Sequence, residues 1–246
     1  MTKITAAITA VGKYVPDHVL TNKMLETMVE TNDEWITTRT GIKERRILKE
    51  PGKGTSFLAI KAAENLISKS NLDPKEIDLV IVGTATPDMQ AASTAAFVAS
   101  KIGATEAFSL DLEAACSSFL FGMSSAASYI EAGRYKKVLL IGADMNSSMI
   151  DYTDRITCII FGDGAGAAIV QTTQISDASS ESHIFDTDLY SDGKYAKELW
   201  VEAPGMAAGR ENRLDTETMN KKQHFPAMNG KTVFVHAVRN MSESLF

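Results

Sequence analysis

A chain of 246 residues, 44% hydrophobic and 23% charged, carries enough apolar material for one large domain or two small ones. Its 25 Lys and Arg against 31 Asp and Glu leave a net charge of -6, which argues against nucleic acid as the main partner, since a phosphate backbone needs a basic face. Only two cysteines occur, too few for a disulfide framework, so a reducing, cytoplasmic setting is expected; no apolar run reaches the roughly 20 residues of a bilayer span, and Met1–Thr5 lacks a signal-peptide pattern.

Ile4–Val11 alternates apolar and small residues and reads as a first strand. Thr21 or Asn22 can cap a helix through about Glu30, with Met24, Leu25, Met28 and Val29 on one face. Thr31 is the expected cap of a second helix, whose first turn holds Asp33 and Glu34, where the helix dipole favours acids. Thr55 or Ser56 opens a longer helix to about Ser68, and Asp73-Pro74 marks a turn. Leu79–Gly83 reads as a buried strand, Ser93–Ile102 as a helix, and Ala107–Leu112 as a strand. Ser117–Ala132 reads as a helix that is polar on no face and is therefore buried. Val138–Gly142 and Ala165–Val170 are two further strands.

From Ser182 the texture changes. His183–Tyr190 and Glu198–Val201 read as strands around the turn Ser191-Asp192-Gly193, and Pro204–Pro226 reads as a long polar loop. A last helix is expected from near Gly230 to Phe246. Its apolar face needs something to pack on, which suggests a continuation. Apolar strands alternating with helices imply an α/β fold with a mainly parallel sheet covered on both faces. The polar stretch 171–180 is the expected boundary between residues 1–175 and residues 176–246.

Cys116 lies between a strand and a helix, in Leu112-Glu113-Ala114-Ala115-Cys116-Ser117-Ser118. A helix N-terminus favours a thiolate, the form that attacks a carbonyl or thioester, and the neighbouring alanines leave room for a substrate. The alternative is a buried cysteine acting as a small apolar residue, and local context alone leaves the two even. Cys158 sits in the apolar run Ile156–Phe161, where burial makes a thiol inert.

Gly162-Asp163-Gly164-Ala165-Gly166-Ala167 loosely fits a dinucleotide fingerprint, but a strand-like run follows instead of a helix. Nucleotide phosphate binding is therefore rejected there, and the run reads as a turn allowing close backbone approach. Trp35 and Arg39 are four apart on one helix face and can together hold a planar aromatic ligand. On spacing alone, a half-buried tryptophan beside a solvated arginine is the better reading. His18, His183, His224 and His236 show no metal-site spacing, so no metal is expected.

Three blocks together resemble the β-ketoacyl-acyl-carrier-protein synthase III family of condensing enzymes. They are Thr31 to Arg45 (TNDEWITTRTGIKER), Ala114-Ala115-Cys116 with the small-residue helix after it, and Thr153-Asp154-Arg155 with Ile159 to Ala167. The resemblance implies a thiolase-like layered α/β fold of two related βαβαβ halves, the second incomplete here, and a homodimer. It implies that Cys116 takes an acyl group from acyl-CoA, the substrate rather than a cofactor, and that malonyl-acyl-carrier protein then condenses with it after losing carbon dioxide. By the same resemblance Thr31, Trp35, Arg39 and Arg155 would hold the CoA nucleotide, with adenine between Trp35 and Arg155. Phe161 would lie near the cysteine. Met89 matches the position from which the partner subunit lends a residue to the acyl pocket, where many relatives place Phe.

The family's catalytic His and Asn, and the glycine giving a second oxyanion-hole donor, follow the helix with which this sequence closes. His236 is not followed by Gln-Ala-Asn, so the His role is not carried to it. The competing expectation is a non-catalytic CoA-binding or dimerisation fragment.

Overall fold

The computed structural model describes residues 3–175, 182–205 and 215–244. In chain order the elements are β1 (Lys3–Tyr14), β2 (His18–Thr21), α1 (Asn22–Leu25), α2 (Asp33–Thr40), β3 (Glu44–Ile47), α3 (Thr55–Ser70), β4 (Leu79–Gly83), α4 (Thr94–Ile102) and β5 (Phe108–Leu112). There follow α5 (Ser118–Glu131), β6 (Lys137–Met145), β7 (Asp163–Ile175), β8 (Leu199–Val201), α6 (Thr216–Asn220), β9 (Pro226–Met228) and α7 (Gly230–Glu243). The chain divides into two compact units interleaved in sequence. One takes residues up to 18, 46–145 and 163–189; the other takes 19–45, 146–162 and the residues from 190 on. The boundary expected between 175 and 176 falls where residues 176–181 lie outside the described set.

The first unit is built on one sheet of order β1-β7-β6-β4-β5. Along β4 the side chains alternate. Val80 and Val82 pack with Ala59, Ala62, Leu66, Val98 and Ile102 of α3 and α4, while Leu79 and Ile81 pack with Ala126 and Ile130 of α5. All these residues are buried, so β4 is apolar at every position because both of its faces are covered. Each valine, leucine or isoleucine among them contributes roughly 1.5–3 kcal/mol on burial. β1 comes very close to α3: a Cβ added at Gly12 would stand 2.5 Å from the Ala62 carbonyl oxygen.

The sheet is mixed, which corrects the expected mainly parallel arrangement. β4 runs parallel to β5 and β6, but β7 is antiparallel to both β6 and β1. An apolar run reports burial on both faces, not direction. Residues 183–190, expected as a strand, have no regular structure. There the chain is held by single bonds, the Ile184 N–H donating to the Ala6 carbonyl and the Thr187 hydroxyl to Ser124 Oγ.

In the second unit α1 is a single turn, not a helix to Glu30. Thr21 caps it, and the Thr27 hydroxyl donates to the Met24 carbonyl, competing with helical bonding just beyond. α2 is capped by Asn32, not Thr31: the Asn32 side-chain oxygen accepts the Trp35 N–H at 2.7 Å. β8 pairs antiparallel with β9. Part of the expected loop 204–226 lies outside the described residues, and part is the helix α6. Asp215 accepts the Thr218 N–H while the Thr218 hydroxyl accepts the Asp215 N–H, a reciprocal cap present in the sequence as Asp215-Thr216-Glu217-Thr218. α7 begins as expected, with Asn229 as its cap.

Candidate active site

Cys116 follows the carboxyl end of β5, on a short turn, Ala115–Ser117, that leads into α5. Ala115 has φ +46°, a left-handed conformation that a residue with a Cβ adopts at a cost of about 1–2 kcal/mol. What holds it is Ser118. Its hydroxyl accepts the Ala114 N–H at 2.9 Å and donates to the Ala115 carbonyl at 2.8 Å. Ser118 itself is buried against Gly83 at the end of β4. The strained turn leaves Cys116 exposed, a free thiol at the end of a parallel strand where open α/β sheets place their ligands. The alternative of a buried structural cysteine does not describe Cys116. It does describe Cys158, which is fully buried, its thiol pushed up to about 11 by burial and by the nearby Asp154 carboxylate.

Met89 is half-exposed on the loop that leaves the neighbouring strand β4. Three carboxylates hold that loop. The Asp144 carboxylate on β6 accepts the Thr84 hydroxyl and the Ala85 N–H. Asp88 accepts the Ser56 N–H at 3.0 Å, which caps α3 in place of a side chain of its own. At its far end Asp111 of β5 accepts the Thr94 and Ala95 N–H groups at the start of α4, both at 2.7 Å.

The second unit gathers Trp35, Arg39 and Arg155. The Arg39 guanidinium stands 4.3 Å from the Trp35 ring centre and that of Arg155 stands 5.0 Å from it. Arg155 donates to the Glu30 carbonyl at 3.2 Å. A base sandwiched between two planes needs about 7 Å, twice a van der Waals contact. Arg155 and Trp35 are closer than that. The Thr31 hydroxyl is buried with no hydrogen-bond partner among the described residues, an acceptor and donor left open beside α2. Phe161 is half-buried in the same unit.

Several residues that hold these side chains in place were not singled out from the sequence. Asn22 donates to Asp33 Oδ1 at 2.7 Å and to the Ile42 carbonyl at 2.8 Å; its amide keeps the Asp33 carboxyl below its ordinary value. Lys222 reaches Asp151 Oδ2 and Thr153 Oγ1, both at 2.6 Å, and so fastens the turn that leads to Arg155. The spacing of Trp35 and Arg39 and the match of TNDEW and TDR to a common pattern pointed at this region; nothing local marked its supports.

A family model described as 3-oxoacyl-[acyl-carrier-protein (ACP)] synthase III matches residues 110–193. A β-ketoacyl-[acyl-carrier-protein] synthase III of Phocaeicola vulgatus is 49% identical over 243 residues, 99% of this chain and 70% of that protein. One from Chlorobium phaeobacteroides is 46% identical over 238 residues, again covering 70% of that protein. Among solved structures, the 3-oxoacyl-[acyl-carrier-protein] synthase III of Aquifex aeolicus superposes with a TM-score of 0.81 at 39% identity, covering 97% of this chain and 69% of that one. The enzyme of Pseudomonas aeruginosa does so with a TM-score of 0.83 at 35% identity, covering 98% and 69%. The fold is therefore the thiolase-like α/β fold of these enzymes, and the chain belongs to the β-ketoacyl-acyl-carrier-protein synthase III family.

Proposed function

We propose that this chain carries the acyl-CoA side of the condensation that initiates fatty acid synthesis. Cys116 takes the acyl group from acyl-CoA as a thioester, releasing the CoA thiol. Malonyl-acyl-carrier protein then loses carbon dioxide, and its carbanion attacks the acyl-cysteine. Splitting the reaction in this way replaces one hard step by two easier ones. The observation that carries the reading is the exposed thiol on a strained strand-to-helix turn, in a chain 49% identical to a synthase III.

Trp35, Arg39, Arg155 and Thr31 are the nucleotide-binding residues in this reading. Adenine stacks on Trp35 after Arg155 swings outward by about 2 Å, the shortfall from two stacked contacts. Arg155 is exposed and its hydrogen bond to the Glu30 carbonyl is long, so the movement is inexpensive. By the family resemblance Phe161 belongs to the acyl pocket, and Met89 is the residue that one copy of a homodimer lends to the acyl pocket of the other. Met89, thinner and more flexible than Phe, fits a longer primer; equal acylation rates from acetyl- and longer acyl-CoA in wild type and Met89→Phe would remove that role.

A homodimer belongs to the same reading. β5 is the sheet's edge strand and exposes Phe108, 67% accessible, its ring tilted against that of Tyr135. No helix among the described residues is long and apolar enough to cross a membrane, and the two unpaired thiols fit a cytoplasmic setting.

The 246 residues contain no His-Gln-Ala-Asn run, so the first half-reaction is the step to test on this chain. Intact-protein mass spectrometry with acetyl-CoA should show one acetyl adduct that disappears in Cys116→Ala. An adduct retained in Cys116→Ala would overturn the assignment of the nucleophile.

A further inference from the structure

We propose that Arg45 is a positioning residue for nucleotide binding: its buried guanidinium joins the segment that carries Arg155 to the segment that carries Trp35. The inference rests on the reading that the CoA nucleotide stacks at Trp35.

Arg45 is 4% exposed, a charge taken almost entirely out of water. Its Nε donates to the Ile159 carbonyl at 2.9 Å, and Nη2 donates to the same oxygen. Its Nη1 donates to the Asn22 side-chain oxygen. These acceptors are neutral, and burial pulls the guanidinium below its ordinary value. A buried cation held by neutral acceptors is costly, and an apolar side chain of similar volume is often as stable or more so. Stability alone therefore does not account for an arginine here.

The partners explain what it does. Asn22 passes the connection on, through its amide hydrogens, to Asp33 Oδ1 and the Ile42 carbonyl, the two ends of the helix that presents Trp35 and Arg39. Ile159 lies one turn beyond Arg155. Between them the Ile156 N–H and the Thr157 hydroxyl donate to the Asp154 carboxylate, and the Cys158 N–H donates to the Asp154 carbonyl. The stretch from Asp154 to Ile159 is thus internally tied, and gripping Ile159 fixes the base of Arg155. At the other end Lys222 holds Asp151 and Thr153. Arg45 is the link that sets the distance between that stretch and the Trp35 helix. Its planar fork donates to both segments at once, which a lysine ammonium on a single point cannot reproduce in the same geometry.

The test compares Arg45→Met and Arg45→Lys with wild type, on the full chain. CoA affinity is measured by calorimetry, and acylation of Cys116 is followed by mass with acetyl-CoA and with acetyl-pantetheine, which lacks the nucleotide. Misplacing the clamp by about 1 Å should weaken CoA binding and slow acylation from limiting acetyl-CoA about tenfold in Arg45→Met, with Arg45→Lys in between. Acylation from acetyl-pantetheine should stay within about twofold of wild type, because Cys116 is held by Ser118 and Gly83 rather than by Arg45. Equal losses with both thioesters, or unchanged CoA affinity in both variants, overturn the inference. If Arg45→Met does not fold, Arg45→Lys bears the same comparison. Trp35→Ala separates the two levels. Unchanged CoA affinity there removes the nucleotide reading itself. Weakened affinity there, with none lost in the Arg45 variants, removes only the positioning role.

Discussion

Gly83, the last residue of β4, faces Ser118, the first residue of α5, so closely that an added Cβ would lie 2.6 Å from the Ser118 Cβ and 3.1 Å from its carbonyl carbon. Ser118 also closes the strained turn that exposes Cys116. Gly83→Ala should therefore do two things. Overpacking should cost about 1–3 kcal/mol of stability. It should also push Ser118 off the turn and slow acylation of Cys116 by more than the stability loss explains. A urea titration and an acylation time course below the unfolding midpoint separate the two. Normal acylation in a folded Gly83→Ala would show that the turn tolerates displacement of Ser118.

The two thiols should react very differently. Cys116 is exposed, while Cys158 is fully buried and its thiol is pushed up to about 11. A neutral-pH alkylating reagent should label Cys116 and leave Cys158 intact in the folded protein, with both labelled in denaturant. Peptide mapping checks this. Prior incubation with acetyl-CoA should protect Cys116.

Trp35→Ala should weaken CoA binding by about 1–3 kcal/mol, the usual worth of one base on an aromatic face. Trp35→Phe should recover part of it, because a ring remains for Arg39 and Arg155 to face. Calorimetry with CoA and with pantetheine should place the whole loss on the nucleotide.

Asp151 contributes to stability with a defined pH dependence. Burial alone would raise its carboxyl, but hydrogen bonds from Lys222 and Thr153 outweigh this and hold it below its ordinary value. A carboxyl depressed in the folded state stabilises fully above the ordinary carboxylate range. That contribution is lost as pH falls through the depressed folded value. Lys222→Met should then cost about 1 kcal/mol at neutral pH, since the ammonium is half-exposed, and less once the pH has fallen through the depressed folded value of Asp151. Urea midpoints for the two proteins between neutral and acid pH measure it; parallel curves throughout would show that the pair is not coupled to folding.

Much of the molecule was legible in the linear order of residues. Leu79–Gly83 was located to the residue, and the helices beginning near Thr55, Ser93 and Ser118 to within two or three residues at each end. Their patterns are strong because both faces of β4 and β6 are buried. Strand direction was not legible, because burial on two faces looks the same for parallel and antiparallel neighbours. The cap of α2 fell on Asn32 rather than Thr31 because either side chain can accept there and only the backbone geometry chooses.

The sequence by itself determined the family, through TNDEW, the alanine-flanked Cys116 and the TDR to GDGAGA block. It also separated a candidate nucleophile from an inert thiol, since the apolar run around Cys158 is a local property. Tertiary structure alone decided what holds Trp35 in place. Arg155 reaches the ring from a distant segment, and the Arg45 guanidinium that joins those segments looks, in sequence, like any charged residue in Glu44-Arg45-Arg46. The physical reason is that burial of a charge depends on which neutral acceptors the fold brings to it, and those acceptors, Asn22 and the Ile159 carbonyl, come from far along the chain.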